Sequence, residues 1–121
     1  MIARIWHGVT TEAKSDAFVE QLIRTGVKEC HATPGNRGVQ VLRRNKEGGA
    51  EFFFASFWDS LDSIRAFAGA DTEKAVYYPD DKDFLTEFEP TVAHYELFDF
   101  PQPAVQPPQA AQPRTCDVAT Y

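Results

Sequence analysis

The sequence predicts an α+β fold of the ferredoxin-like type, an antiparallel sheet with helices packed on one face. Three observations carry this prediction. Strand and helix patterns follow one another in the order β-α-β-β-α-β. Residues 50–58 are apolar at nearly every position, as in a strand that is covered on both faces. A chain of 121 residues with 43% hydrophobic composition has room for one domain with a modest core.

The first third of the chain has the pattern of a strand followed by an amphipathic helix. Residues 2–9 have the composition of a strand and are followed by the turn and cap residues Thr10 and Thr11. The next segment places Phe18, Leu22 and Ile23 at helical spacing, with charged residues largely on the opposite side. This pattern predicts a helix of about four turns that ends before the turn cluster 34–36.

The middle third predicts a hairpin and a second helix. Residues 38–44 form the second strand, and the loop 45–49 leads into the Phe-rich third strand, so these two strands are antiparallel neighbours. A short helix then runs from a cap after Trp58 through Phe67 and ends at Gly69.

The last third predicts two more helical pieces and a final strand. The helical pieces cover 71–77 and 80–88, separated by a proline, and the strand covers about 91–100. Right-handed crossovers then give the strand order 4-1-3-2, which puts the Phe-rich strand in the interior of the sheet.

Both faces of the third strand carry large apolar side chains. They alternate as Phe53, Ala55 and Phe57 on one face and Phe52, Phe54 and Trp58 on the other. The chain's own helices can cover one face, and the second face needs another sheet, most simply that of a second copy. The sequence therefore predicts a homodimer.

Charge and composition exclude several partners. A net charge of −6 and a pI near 4.9 repel nucleic-acid phosphates and anionic lipid. No apolar run is long enough to cross a membrane, and residues 1–6 do not have the pattern of a signal peptide, so a cytoplasmic protein is expected. Cys30 and Cys116 are far apart in sequence and are predicted to be free thiols.

A change of composition divides the chain at residue 101. Residues 1–100 form the predicted domain, and residues 101–121 are rich in Pro, Gln and Ala, with almost no large apolar residue. Two interpretations remain open for this tail: a disordered segment, or an arm that lies over the partner subunit.

Five segments resemble the dimeric α/β-barrel superfamily and, within it, the antibiotic biosynthesis monooxygenase-like domains. They are residues 3–8, 34–38, 57–61, 64–69 and 94–96. The resemblance covers about residues 1–100 and implies two sheets packed face to face across a dimer, with a pocket in each subunit between the sheet and its helices. It also implies relatives that oxidise phenolic polyketides to quinones with oxygen, without metal or flavin.

A haem-degrading branch of the same superfamily uses an Asn, Trp and His set. The resemblance puts the Trp of this set on Trp58, the haem-ligating His position on Tyr77, and the Asn position near Trp6 or His7. Two of the three residue types differ here. We therefore expect no cofactor, with haem kept as a less favoured alternative.

Two histidines are candidates for the base that would form a phenolate. His7 lies on the first strand and His94 on the last, which are neighbours in the predicted sheet. If paired residue numbers sum to about 101, the two side chains face the same layer, and a shift by one separates them. No close histidine spacing predicts a metal site.

The remaining candidates would bind substrate or stabilise an anion. Tyr77 is predicted as a catalytic hydroxyl, and the predicted substrate-binding residues are Trp6, Trp58, Phe54, Arg4 and Tyr78. Ordinary packing or a salt bridge is the competing interpretation for each.

Three functions stay open on the sequence alone. The first is a cofactor-independent monooxygenase that acts on a small aromatic or polyketide-like molecule, or an isomerase or cyclase that uses the same pocket and base. The second is a non-catalytic dimeric module that binds a small ligand or serves as an accessory or stress-related protein. The third is a haem-binding or haem-degrading relative.

Overall fold

The structure, a computed structural model, describes residues 1–103. Within this range five strands and three α-helical segments follow in the order β1 (Ile2–Thr11), α1 (Ser15–Leu22), α2 (Lys28–Ala32), β2 (Asn36–Lys46), β3 (Gly49–Trp58), α3 (Leu61–Ala68), β4 (Leu85–Phe88) and β5 (Ala93–Glu96). A π-helical turn, Ile23–Val27, joins α1 to α2, and a 3₁₀ turn, Asp81–Asp83, precedes β4.

The strands form one antiparallel sheet in the order β2-β3-β1-β4, and β5 also pairs with β1. β4 lies along Gly8–Thr10 and β5 along Ile2–Ile5, so two short strands share the fourth position. The predicted α+β, ferredoxin-like fold and its strand order are therefore confirmed.

The predicted helix over 80–88 is wrong beyond its first turn. Only Asp81–Asp83 is helical, and the chain then becomes β4, because the edge of β1 offers pairing partners there. Thr86 strengthens this pairing, since its Oγ1 donates to the Val9 carbonyl at 3.1 Å.

The predicted helix over 71–77 is also absent from the structure. This segment is held by the chain beyond Pro90, because the Ala75 amide donates to the Pro90 carbonyl and the Val92 amide to the Glu73 carbonyl. The final strand is shorter than the predicted 91–100 and covers Ala93–Glu96.

The first helix buries two of the three apolar residues predicted at helical spacing, and Ile23 is the exception. Phe18, Leu22, Gly26 and Cys30 are buried, whereas Ile23 is 51% exposed. The buried positions recur every four residues, and Ile23 lies beside that row at the start of the π-helical turn.

The two faces of the sheet differ in how well they are covered. On the face under the helices, Phe52, Phe54 and Trp58 are almost fully buried. On the opposite face, which we call the open face, Leu42, Phe53 and Tyr95 are 55%, 38% and 57% exposed. Within residues 1–103, the chain therefore covers one of its two apolar sheet faces.

The structure tests the predictions about the cysteines, the C-terminal tail and the location of the protein only in part. Cys30 is a free, buried thiol, whereas Cys116 and residues 104–121 of the predicted tail lie outside the described residues. Among the described residues, none of the helices combines the length and apolar character needed to span a membrane. Cytoplasmic location stays a prediction.

Gly8 is required by the packing of Trp6 against the sheet. The six-membered ring of Trp6 lies over the Gly8 Cα, and a Cβ built on Gly8 would overlap that ring. The strand pairing sets Trp6 opposite Phe54 on the helix-covered face, so the ring cannot move aside without entering the core.

The Gly8→Ala variant should lower the free energy of unfolding by about 1–3 kcal/mol, the usual cost of overpacking. Urea unfolding of the wild type and the variant measures this loss. In a Trp6→Leu background the same Gly8→Ala change should cost much less, because the overlapping ring atoms are gone. An equal cost in both backgrounds would mean that the ring contact is not the reason for the glycine.

Candidate functional site

A cavity of about 40 Å³, partly open to solvent, lies between the sheet and the π-helical turn. Five of the eight predicted site residues line it, namely Arg4, Trp6, Phe54, Tyr77 and Tyr78. Its volume suits a few water molecules, whereas pockets for drug-sized ligands usually start at about 300 Å³. An aromatic ligand would therefore need side chains in this wall to move.

Trp6 and Tyr77 form the polar edge of the cavity. The Trp6 Nε1–H donates to the Tyr77 hydroxyl at 3.1 Å, and that hydroxyl donates to the Glu89 carbonyl at 2.5 Å. The two rings meet edge to face, with centroids 6.2 Å apart. Burial raises the pKa of Tyr77, so its phenol is neutral at physiological pH.

Arg4 brings a buried positive charge to the cavity. Its side chain comes from near the start of β1, and the residue is 4% exposed. The Nη2 group donates to the Lys74 carbonyl at 2.8 Å, and the guanidinium lies 5.5 Å from the centre of the Phe67 ring. Its Nε has no hydrogen-bond partner among the described residues. Burial lowers the pKa of Arg4, but a guanidinium keeps its proton in proteins.

The groups around Arg4 do not balance its charge. Burial raises the pKa of the Cys30 thiol to about 12, and burial also raises the pKa of Tyr78, so both groups are neutral at physiological pH. The Asp81 carboxylate accepts from the Gln21 side chain at 2.9 Å and from the Tyr78 amide at 2.8 Å, and it makes no ion pair with Arg4. Asp81 therefore holds the cavity wall in place.

His94 lies beside Arg4, because β5 pairs with β1 in a register that puts these two residues opposite each other. Its Nε2 is buried without a partner among the described residues. Burial, and then the charge of Arg4, lower the pKa of His94, so its imidazole is neutral at physiological pH. His94 does not line the cavity itself; it lies next to a residue that does.

His7 faces the other side of the sheet. Arg4 and His7 are three positions apart on one strand, so a register that sets His94 opposite Arg4 separates the two histidines. On the open face, His7 Nδ1 lies 2.6 Å from Glu89 and Nε2 lies 2.8 Å from Glu51. The structure therefore does not bring His7 and His94 into one site.

Trp58, expected at the pocket wall, lies instead in the core. It is fully buried, its Nε1–H donates to Ser56 Oγ at 2.8 Å, and its ring packs against Phe67 with centroids 5.6 Å apart. Because it ends β3 beneath α3, it is absent from the lining of the cavity.

Sequence reasoning missed two features of the site. Gly26 lies in the π-helical turn and faces Phe54 so closely that a Cβ there would be 3.2 Å from the ring; a glycine inside a helical pattern was the available signal. The second feature is the contact of His7 with two carboxylates, those of Glu51 and Glu89. The sequence signal for this contact was Glu51, an acidic residue inside the apolar strand.

A family model described as antibiotic biosynthesis monooxygenase matches residues 1–77, well over half of the chain. The chain belongs to this family. Two solved structures agree in fold. A mutant of MhuD with two manganese protoporphyrin IX bound per active site is 17% identical, with a TM-score of 0.54 over 84% of this chain and 100% of that chain. Rv0793 from Mycobacterium tuberculosis is 15% identical, with a TM-score of 0.51 over 84% of this chain and 98% of that chain.

These structural likenesses show the fold alone, because both identities are low. Among curated proteins, none matches the sequence. Membership of the antibiotic biosynthesis monooxygenase family thus rests on the match over residues 1–77.

The residues of this family member do not fit a haem ligated by Tyr77. A tyrosine ligates ferric haem through its oxygen, as a phenolate. Here burial raises the pKa of Tyr77, and its hydroxyl already bonds Trp6 and Glu89. The cavity beside it, at about 40 Å³, is also far smaller than a porphyrin.

The two carboxylates around His7 predict a pH-dependent stability. A neutral imidazole carries one N–H, so donating to both Glu51 and Glu89 requires the charged form. Partial burial works to lower the pKa of His7, but the bonds to Glu89 and Glu51 outweigh it, and the pKa is raised. The network should therefore stabilise the fold fully below about pH 6.5, the unfolded value, and lose this effect as pH rises through the folded pKa.

The measurement is the difference in free energy of unfolding between wild type and His7→Gln at pH 5.5, 7 and 9. The wild type should be more stable by about 1 kcal/mol at pH 5.5, with the difference shrinking towards pH 9. His31→Gln, which changes an exposed histidine, is the matched control and should show no such trend. A difference that grows with pH would contradict the charged His7 network.

Proposed function

We propose that this member of the antibiotic biosynthesis monooxygenase family oxidises a small aromatic, phenolic or polyketide-like molecule without a cofactor, at the cavity between the sheet and its helices. The observation that carries the proposal is Arg4, a buried and unpaired cation in the cavity wall. A preorganised positive charge in a site with little water is the arrangement that stabilises a developing oxyanion. Trp6 and Tyr77 supply the aromatic and hydrogen-bonding surface beside it.

In this proposal His94, which lies beside Arg4 and outside the lining of the cavity, accepts the substrate proton once the cavity has widened to reach it. Its imidazole is neutral and its Nε2 has no partner in the described part of the chain, so it has a lone pair available. Arg4 then stabilises the phenolate or enolate that remains. A CH₂ group of the activated substrate becomes C=O: one atom of O₂ enters the product, the other leaves as water with both hydrogens, and the substrate supplies the electrons.

Substrate entry would require the cavity to widen. Val76, Tyr77 and Tyr78 form one wall and belong to a segment that is neither helix nor strand. Side chains on such segments move more easily than those on a paired strand. Movement of the Tyr78 ring outward would enlarge the cavity without breaking the sheet.

Oxygen consumption with a panel of phenols and anthrone-like substrates tests this proposal. His94→Gln should reduce the oxidation rate by about 10²–10⁴-fold, the usual contribution of a general base. His31→Gln, at an exposed site, should retain the wild-type rate. If His7→Gln lost the oxidation activity while His94→Gln kept it, the assignment of His94 as the base would be contradicted.

A non-catalytic ligand-binding role is the second candidate, and it is favoured by the absence of His94, the proposed base, from the lining of the cavity. The same panel separates the two functions. Ligands that raise the melting temperature without any oxygen uptake would support binding alone, whereas turnover would support the enzyme.

We also propose that a second copy of the chain covers the open face. This face exposes the large apolar side chains Leu42, Phe53 and Tyr95, and a sheet that is apolar on its uncovered side is stabilised by packing against another sheet.

Phe53→Glu should convert a dimer to a monomer, because it would bury a carboxylate in an apolar contact. Sedimentation velocity measures the change. Leu61→Glu is the matched control. The exposed fraction of Leu61, 42%, is similar to the 38% of Phe53, but Leu61 lies on α3, so its substitution should leave the dimer intact. A monomeric wild type, or dissociation by Leu61→Glu alone, would refute the proposed interface.

A further inference from the structure

We infer that the cavity binds a ligand that carries a permanent negative charge, a carboxylate, held by Arg4 with His94 beside it. This inference rests on the proposed function in taking the cavity as the ligand site. It goes further by naming the substrate class: an acidic aromatic molecule, charged before any reaction begins.

The pairing of the arginines gives the first argument. Of the six arginines in residues 1–103, Arg37, Arg43, Arg44 and Arg65, all at least 40% exposed, each form an ion pair with a carboxylate. Arg24 is also exposed and donates to Gln21 Oε1. Arg4, which is buried, has no carboxylate within 4.0 Å in the described part of the chain. Water offsets an unpaired charge at the surface, whereas a buried charge without a counter-charge keeps its desolvation penalty. The chain thus leaves unpaired the arginine for which pairing matters most.

The surroundings of Arg4 give the second argument. Cys30 and Tyr78 are neutral. Asp81, the carboxylate in the cavity lining, forms no ion pair with Arg4, and its oxygens accept from Gln21 and the Tyr78 amide. The Arg4 Nε–H has no acceptor among residues 1–103. A ligand carboxylate would accept this hydrogen bond and supply the missing charge at once.

His94 gives the third argument. Its Nε2 is the other buried side-chain nitrogen without a partner in the described residues, and strand pairing puts it next to Arg4 on the same face. When Nε2 has taken the substrate proton, the imidazolium is a second positive donor beside Arg4, and its Nε2–H can donate to the ligand carboxylate. A carboxylate matches this pair of neighbouring groups better than a neutral phenol does.

A transient oxyanion alone explains these features less well. The charge of Arg4 is present in the resting protein, so a neutral substrate would displace water from the cavity and leave the charge unbalanced in the bound state. A carboxylate balances it from the moment of binding, and the developing oxyanion can then use the remaining donors.

The test compares benzoate with its neutral isostere benzamide, in phosphate-free buffer, by isothermal titration calorimetry and by the melting temperature. Wild-type protein should bind benzoate about tenfold tighter than benzamide. Arg4→Met, of similar length without charge, should lose this preference, and Arg4→Lys should keep part of it. Circular dichroism establishes that both variants fold, and the wild-type comparison needs no variant at all.

Each other outcome overturns the inference in a recognisable way. Equal binding of benzoate and benzamide to wild type would reject the acidic ligand and leave the cavity and its proposed function intact. A preference that persists in Arg4→Met would move the anion site away from Arg4. If neither probe binds, the cavity is not a ligand site, and the proposed function fails with it.

Discussion

The pairing of β1 with β3 is the constraint on which the rest of the structure depends. It sets Trp6 opposite Phe54 and His7 opposite Phe53, and so decides which side chains meet the helices. A slip of one residue would exchange the two faces, taking Arg4 and Trp6 out of the cavity and putting His7 into it. Gly8 helps to fix this choice, because its missing Cβ leaves room for the Trp6 ring on one face only.

The sequence was sufficient for the fold because its strongest signals were local. The Phe-rich strand, the hairpin loop and the amphipathic helix each specify their own geometry, and the strand order follows from short connections. The two segments that failed, 71–77 and 80–88, carry helix-like patterns whose backbone is drawn into pairing with distant chain, at Pro90 and along β1. Propensity over a few residues cannot anticipate a pairing partner that is distant in sequence.

Five of the eight residues predicted for the site line the cavity, whereas the geometry of the cavity could not be predicted. Arg4, Trp6, Phe54, Tyr77 and Tyr78 were named from residue chemistry and resemblance, and they do meet at one cavity. The face of each histidine depends on the β1–β5 register, which no residue type determines. The volume of the cavity depends on how closely the π-helical turn approaches the sheet, and that approach is set by tertiary packing.

β4 and β5 share the fourth position of the sheet, and Glu89, which lies between them, makes contacts on both faces of the sheet. Between β4 and β5 the chain leaves the edge of β1, and Glu89 lies in this interruption. The Glu89 side chain reaches His7 on the open face, while its carbonyl accepts from Tyr77, which borders the cavity. One residue therefore touches both compartments. A second protein that packs on the open face would contact the Glu89 side chain, while the Glu89 carbonyl holds Tyr77 at the edge of the cavity. Assembly on the open face and ligand binding in the cavity would therefore act on the same residue.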